Sequence, residues 1–203
     1  LVGDLWILAG QSNMQGYGVM QDVEPPSTQV YMFGLHDRWQ VAETPVHRLY
    51  EAKDGVYHNK IQDGHEKMRR ERRKGACLAL SFAWEMLERT GVPIGLIPCA
   101  HGGTSMDQWS PDLRDKSGDS LYGATLRRFK AAGGKVKGML WYQGEAEASP
   151  GGAAAFQDKF INLIASFRQD FNQPDLPFYY VQIGRYVSPD NEWWNKVQEE
   201  QRK

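Results

Sequence analysis

The feature that most constrains the fold is a set of short apolar runs, each bounded by glycine or proline. Residues 4–9, 92–99 and 136–142 are such runs, and residues 177–184 and 29–33 are two further candidates. Near-continuous apolar runs of this length are typical of strands that are buried on both faces of a parallel sheet. The sequence therefore predicts a mostly parallel, five-stranded sheet.

Segments with helical periodicity lie between or after these strands. Residues 76–89, 121–132 and 153–171 each place apolar side chains near one face, and residues 191–203 begin like a helix. Residues 20–74 are irregular and polar, and we expect them to form loops over one end of the sheet. Alternating strands and helices predict an α/β fold with three layers, formed by a single domain across the chain.

Composition argues against several classes of function. The 203 residues carry 24 basic and 25 acidic side chains, and this balance gives no general attraction to nucleic acid or to an anionic membrane. No apolar run approaches the roughly 18 residues that a membrane-spanning helix needs. Cys77 and Cys99 lack the spacing of a metal or redox site, and we expect two buried thiols rather than a disulfide.

Three polar clusters follow the first three predicted strands: residues 10–14 (GQSNM), residues 100–105 (AHGGTS) and residues 143–147 (QGEAE). In an open α/β sheet, ligands bind outside the carboxyl ends of the strands, so topology brings these clusters to one place. A serine at a strand-to-helix turn, a pair of glycines and a side-chain amide together favour acyl transfer.

Ser12 is the predicted nucleophile of this chemistry. The backbone N–H groups of Ser12 and Gly103, together with the side-chain amide of Gln143, would form an oxyanion hole. Each residue has a structural alternative: Ser12 as a helix N-cap, Gly102 and Gly103 as a plain turn, and Gln143 as a helix cap. Their joint presence favours the catalytic interpretation.

The three clusters resemble the SGNH hydrolase superfamily, and within it the sialate O-acetylesterase-like group and the related carbohydrate esterases of acetyl xylan type. The resemblance lies in residues 10–14, in residues 102–105 with Trp109, and in residues 141–145 (WYQGE). It implies a flavodoxin-like α/β/α fold and ester hydrolysis through an acyl-serine, with acetylated carbohydrate as the substrate. It also implies that no metal or organic cofactor takes part, and that the protein is secreted or periplasmic.

Further residues of the three clusters have expected supporting roles. Gln11 and Asn13 flank the predicted nucleophile, and the resemblance implies that Glu145 braces the nucleophile loop. Trp109 and His101 are weaker candidates for substrate binding, because a tryptophan can stack on a sugar face and His101 adjoins the oxyanion glycines.

The resemblance also implies a general base, a histidine in an Asp-x-x-His block after the last strand. The five histidines of the chain are His36, His47, His58, His65 and His101. Residues 63–65 (DGH) imitate that block only in composition, and the sequence after Gly184 contains no match to it. We therefore expect the base to lie outside these 203 residues.

Two alternative functions follow from the same residues. A catalytically inactive SGNH-like domain would bind glycan without cleaving it. A flavodoxin-like nucleotide or phosphate binder would need a G-x-G-x-x-G or P-loop pattern, which the sequence lacks.

Overall fold

The computed structural model describes residues 3–58, 67, 70–71, 73–187 and 191–203. The β-strands are β1 (Asp4–Gly10), β2 (Gly18–Val19), β3 (Val30–Phe33), β4 (Trp39–Val41), β5 (Lys74–Ala76), β6 (Ile94–Pro98), β7 (Gly138–Tyr142) and β8 (Phe178–Tyr180). The α-helices of these residues are α1 (Ser12–Gln15), α2 (Ala79–Thr90), α3 (Leu121–Ala131), α4 (Pro150–Asp170) and α5 (Glu192–Arg202). Short 3₁₀ helices span Leu49–Glu51, Gly55–Tyr57, Pro111–Asp119 and Glu145–Glu147.

The central sheet has the strand order β4-β3-β6-β1-β7-β8. Its central strand, β1, pairs in parallel with β6 on one side and with β7 on the other. β3 and β8 continue the parallel pairing outward, whereas β4 is antiparallel to β3. The prediction of a mostly parallel sheet is confirmed, but the sheet has six strands rather than five.

The sixth strand, β4, lies in the segment for which the sequence predicted only loops. It spans three residues at the edge of the sheet, and its side chains are half-buried or exposed. A short edge strand does not need an apolar run, because only part of its surface faces the core. Its sequence therefore lacks the pattern that marks the buried strands.

Alternate residues of β1 face opposite sides of the sheet. Ile7 and Ala9 belong to one core cluster, which includes residues of α3 and α4, and Trp6 and Leu8 belong to a second cluster, which includes residues of α2. All four side chains are buried. Helices therefore cover both faces, and the predicted three-layer α/β/α sandwich is confirmed.

The helix boundaries differ from the predicted ones at their N-termini. α2 begins at Ala79, three residues later than predicted, because Lys74–Ala76 forms β5 and pairs with β2. α4 begins earlier than predicted, at Pro150, where the Ser149 side chain accepts a hydrogen bond from the Gly152 N–H. A serine cap followed by proline at the first helical position is a typical helix start.

Candidate active site

The structure brings the three predicted clusters together. β1 lies between β6 and β7, so the carboxyl ends of these three strands are adjacent. The Gln11 N–H donates to the carbonyl of Tyr142 over 2.8 Å, and the His101 N–H donates to the carbonyl of Gly10 over 3.1 Å. The loop after β1, which carries Ser12, is therefore hydrogen-bonded to both neighbouring strand ends.

The turn after β1 requires a glycine at its first position. Gly10 has a φ of 122°, and a Cβ at this position would lie 2.2 Å from the carbonyl oxygen of Tyr142. Only glycine combines this backbone conformation with so close a neighbouring strand. The turn therefore holds the next residues at the carboxyl ends of β1 and β7.

Ser12 is the first residue of α1 and is half-buried. Its Oγ accepts a long hydrogen bond of 3.4 Å from the side-chain amide of Gln11. The other end of that amide, Gln11 Oε1, accepts from the N–H of Ala146 over 3.3 Å. α1 has only four residues, so a helix dipole contributes less at Ser12 than the strand-to-helix turn suggested.

The glycine pair after β6 approaches Ser12 closely. A Cβ at Gly102 would lie 3.6 Å from both Cα and Cβ of Ser12. The N–H of Gly102 donates to Gln15 Oε1 over 2.6 Å, so this donor is already occupied. Gly103 has a φ of 68° and open space around it, and its N–H has no acceptor among the described residues. Of the two glycines, Gly103 is the one that offers a donor.

Gln143 is fully buried, and the structure gives its amide a position that differs from the predicted one. Its Nε2 donates to the carbonyl of Thr104 over 3.3 Å and to Glu147 Oε1 over 3.2 Å. The same carboxylate accepts from the Met106 N–H over 2.7 Å. Both amide hydrogens of Gln143 are directed at protein acceptors, so in this structure the side chain joins the second and third loops.

Glu145 is hydrogen-bonded to the loop that carries Ser12, through Asn13. Its Oε1 accepts from the side-chain amide of Asn13 over 2.5 Å. Its Oε2 is buried and has no hydrogen-bond partner among the described residues. Burial raises the pKa of Glu145, and the hydrogen bond from Asn13 offsets part of that effect.

His101, which precedes the glycine pair in the sequence, is buried. Its Nδ1 lies 2.9 Å from the carbonyl oxygen of Gly102, and its ring stacks on Tyr57 with the centroids 6.2 Å apart. The Tyr57 hydroxyl donates to the carbonyl of Cys99 over 3.1 Å. His101 therefore packs against the 3₁₀ helix Gly55–Tyr57.

Trp109 lies in the core and not on the surface of the cleft. Its side chain is 0% exposed, and its Nε1 donates to Thr104 Oγ1 over 3.1 Å. Its indole ring packs edge-to-face on Trp141, with the centroids 5.1 Å apart. The predicted contact between Trp109 and a sugar is wrong, because a fully buried ring cannot stack on a ligand.

Sequence reasoning missed Gln15 and Tyr57 as residues that shape the site, and it placed Glu147 in the third cluster without its partners. Gln15 follows Ser12 at a spacing of three, which is typical of neighbours on one helical face. That spacing was the available signal for Gln15. Met106, which donates to Glu147, and Cys99, which accepts from Tyr57, lie 41 and 42 positions from these residues, and the sequence alone gives no signal for either contact.

The described part of the chain holds neither a cluster of metal ligands nor a membrane-spanning helix. In residues 3–58, 67, 70–71, 73–187 and 191–203, no three His, Cys, Asp or Glu side chains are grouped as metal ligands. No helix within the same ranges is long and apolar enough to cross a bilayer. His65 and the rest of residues 63–65 lie outside the described residues.

A three-layer sandwich with serine and glycine loops at the carboxyl edge of its sheet is the architecture of SGNH-like esterases. The crystal structure of AT4G34215 from Arabidopsis thaliana matches with a TM-score of 0.76 and 27% identity, over 99% of this chain and 81% of that chain. XAC1771, a carbohydrate acetylesterase from Xanthomonas citri, shares the fold with a TM-score of 0.71 and 21% identity, over 98% of this chain and 47% of its own. NanS shares it with a TM-score of 0.66 and 18% identity, over 98% of this chain and 73% of its own.

The sequence comparisons agree with the fold. Residues 2–203 match the family described as carbohydrate esterase, sialic acid-specific acetylesterase, and the chain belongs to this family. It is 29% identical over 208 residues to the probable carbohydrate esterase At4g34215 of Arabidopsis thaliana, covering 90% of this chain and 71% of that protein.

Proposed function

We propose that this protein is a serine esterase that removes O-acetyl groups from carbohydrate, with Ser12 as the nucleophile. The observation that carries the proposal is the position of Ser12 at the end of the central strand, with Gly102 packed against it. Membership of a carbohydrate esterase family supports the reaction class.

The proposed reaction has two halves. Ser12 Oγ attacks the acetyl carbonyl carbon, and the N–H groups of Ser12 and Gly103 stabilise the resulting oxyanion. The bond between the acetyl carbon and the sugar oxygen then breaks, and the sugar leaves as an alcohol with the proton that Ser12 gave up. Water next attacks the acyl-serine, which releases acetate and restores the Ser12 hydroxyl.

A histidine outside the described residues is the proposed proton acceptor. Among the described residues, the Ser12 hydroxyl is hydrogen-bonded to the Gln11 amide. His58 Nε2 lies 2.8 Å from the carbonyl oxygen of Ala52, and His36 Nε2 lies 3.8 Å from Glu51. Both imidazoles therefore contact residues outside the loop that carries Ser12.

The test is hydrolysis of 4-nitrophenyl acetate by the natural full-length protein and by its Ser12→Ala variant. We expect the substitution to lower kcat/KM by about 10³-fold or more. Ser81→Ala is the matched control, because Ser81 is exposed on α2. A histidine base further predicts that kcat/KM falls below about pH 6.5.

The outcomes separate the two candidate functions. Ser12→Ala with wild-type hydrolysis would contradict the role of Ser12 as the nucleophile. Equal, background-level hydrolysis by both proteins, with retained binding of an acetylated xylooligosaccharide, would identify an inactive glycan-binding domain instead.

A further inference from the structure

The peptide group between Gly102 and Gly103 carries a backbone donor that the proposed reaction needs. It joins the Gly102 carbonyl to the Gly103 N–H, which has no acceptor among the described residues. Neither residue has a side chain, and glycine adopts positive and negative φ with similar ease. The direction of this N–H therefore depends on the contacts that the peptide group makes with the rest of the protein.

His101 supplies such a contact at the carbonyl end of the peptide group. Its Nδ1 lies 2.9 Å from the carbonyl oxygen of Gly102. A carbonyl oxygen can only accept a hydrogen bond, so Nδ1 carries the hydrogen and donates it. In a planar trans peptide, the C=O and the N–H point in opposite directions. The bond from His101 therefore directs the Gly103 N–H away from the imidazole.

The opposite orientation of this peptide group would replace the donor with an acceptor. A half-turn of the group would bring the Gly102 carbonyl to the side where the Gly103 N–H now lies, and a carbonyl oxygen repels an oxyanion. Gly103 has a φ of 68°, and glycine also adopts the negative φ that a half-turn would give. The backbone alone permits both orientations, but only the observed one keeps the bond to His101.

The imidazole of His101 is itself held in a defined position. The His101 N–H donates to the carbonyl of Gly10 over 3.1 Å, and the His101 carbonyl accepts from Thr104 Oγ1 over 2.7 Å. The ring is buried and stacks on Tyr57 with an angle of 11° between the two planes. Contacts of both the backbone and the ring therefore fix the Nδ1 donor.

The preceding N–H of the glycine pair is bonded to the helix that carries Ser12. The Gly102 N–H donates to Gln15 Oε1 over 2.6 Å, and Gln15 is the last residue of α1, which begins at Ser12. This bond ties the glycine loop to α1, whereas the bond from His101 sets the direction of the next N–H. The two contacts therefore have separate effects on the same loop.

We propose that His101 is a positioning residue of the active site, which orients the Gly103 N–H toward the oxyanion by donating to the carbonyl of Gly102. The inference rests on the proposed function and adds to it a residue that neither touches the substrate nor transfers a proton. A hydrogen bond accepted by a carbonyl also polarises the N–H of the same peptide group. His101 therefore both aims this donor and strengthens it.

The test compares variants of His101 in the natural full-length protein. Phenylalanine keeps an aromatic ring beside Tyr57 but has no donor for the Gly102 carbonyl. Because loss of a whole oxyanion donor costs about 10²–10³-fold in rate, we expect His101→Phe to lower kcat/KM for 4-nitrophenyl acetate by about tenfold or more. His101→Asn should recover part of this loss, because its side-chain amide can again donate to the carbonyl.

His58→Phe is the matched control. His58 is exposed, and its Nε2 lies 2.8 Å from the carbonyl oxygen of Ala52. The substitution removes a bond of the same kind outside the proposed site, so kcat/KM should stay within about twofold of wild type. Thermal unfolding checks that each variant is folded. If His101→Phe does not fold, the pair His101→Asn and His101→Leu makes the same comparison with side chains of equal shape.

A thiono substrate separates positioning from a purely structural role. In the thiono analogue of 4-nitrophenyl acetate, sulfur replaces the carbonyl oxygen, and sulfur is the weaker hydrogen-bond acceptor. The ratio of kcat/KM for the acetate to that for the thiono analogue should fall in His101→Phe and stay constant in His58→Phe. A loss of folded protein would lower both rates equally and leave this ratio unchanged.

NMR of the Ser12→Ala protein observes the peptide group without turnover. Glycine labelled with ¹³C at the carbonyl and with ¹⁵N gives carbonyl–nitrogen cross peaks only from bonds between two glycines. Such bonds occur at residues 102–103, 133–134 and 151–152. Adding His101→Phe should shift the 102–103 cross peak and leave the other two in place as internal controls.

An unchanged 102–103 cross peak would overturn the inference. So would a His101→Phe variant that keeps both kcat/KM and the ratio of the acetate to the thiono analogue. The proposed function fails by a different observation, which is aryl acetate hydrolysis by Ser12→Ala. Absence of hydrolysis by the wild-type protein would overturn both.

Discussion

The side-chain amide of Asn13 donates a 2.5 Å hydrogen bond to Glu145 Oε1, across 132 positions of the sequence. The bond joins the loop after β1 to the loop after β7, at the residue that follows Ser12. It holds a carboxylate whose second oxygen is buried without a partner among the described residues. The predicted bracing of the nucleophile loop by Glu145 has its geometric basis in this contact.

Glu145→Gln should change how stability depends on pH. Because burial raises the pKa of Glu145, the folded state binds this proton more tightly than the unfolded state does. The contribution of Glu145 to stability is present below its unfolded pKa and is lost as the pH rises through its folded pKa. The Gln variant should therefore gain stability relative to wild type as the pH rises above 4.5, the ordinary pKa of this carboxyl group.

Urea unfolding of both proteins at several pH values measures this difference. Glu88→Gln, at an exposed position of α2, is the control. If the difference in the free energy of unfolding between wild type and Glu145→Gln is the same at every pH, the prediction is contradicted.

Gly102→Ala should mainly lower catalytic activity, whereas Gly103→Ala should mainly lower the stability of the fold. A Cβ at Gly102 would lie 2.9 Å from Gln15 Oε1 and 3.6 Å from Ser12, so Gly102→Ala should lower kcat/KM for aryl acetates by about tenfold or more. A Cβ at Gly103 has free space, but alanine at its positive φ costs about 1 kcal/mol of stability. Kinetics and thermal unfolding of both variants separate the effects, and equal kinetic losses would contradict this assignment.

Gln143→Leu should destabilise the protein by about 2 kcal/mol. The substitution removes both donors, which leaves the carbonyl of Thr104 and one carboxylate oxygen of Glu147 with fewer partners in a buried setting. Chemical denaturation measures the change. Gln157→Leu, at an exposed position of α4, should stay within about 0.5 kcal/mol of wild type. A similarly small change for Gln143→Leu would show that the hydrogen bonds of the Gln143 amide contribute little to stability.

Arg127→Met should lower the free energy of unfolding by about 3 kcal/mol, because it leaves the carboxylates of Asp54 and Asp37 without their main partner. Arg127 Nε lies 2.6 Å from Asp54 Oδ1, and Arg127 Nη1 lies 2.8 Å from Asp37 Oδ2. The two carboxylates are mostly buried, with side chains 5% and 11% exposed. Arg89→Met removes an exposed pair with Glu85 on α2 and should cost less than about 0.5 kcal/mol.

The cost of Arg127→Met should also depend on pH. Burial alone would raise the pKa of Asp37, but Arg127 and Arg128 outweigh it, and the pKa is lowered. The stability that Asp37 contributes is present above its unfolded pKa and is lost as the pH falls through its folded pKa. The difference in the free energy of unfolding between wild type and Arg127→Met, measured with urea, should become smaller below about pH 4. A gap that widens with acid would contradict this electrostatic cause.

The strands, the principal helices and the meeting of the three polar clusters at one edge of the sheet were predictable because they depend on local pattern and topology. The buried runs at β1, β6 and β7 specify parallel strands, and parallel strands bring their carboxyl ends to one edge. Helical periodicity likewise predicted α2, α3, α4 and α5 to within a few residues. β4 was missed because a three-residue edge strand carries no such pattern.

The amino-acid sequence alone specifies which chemical groups stand at the carboxyl edge: a serine, two glycines, an amide and a carboxylate beside β1, β6 and β7. Which of these groups are already engaged depends on how the chain packs. Gln143 bonds to the second loop, the Gly102 N–H bonds to Gln15, and Trp109 is enclosed in the core. Hydrogen bonds between residues far apart in the chain require the packed positions of loops and helices, and no local sequence pattern encodes those positions.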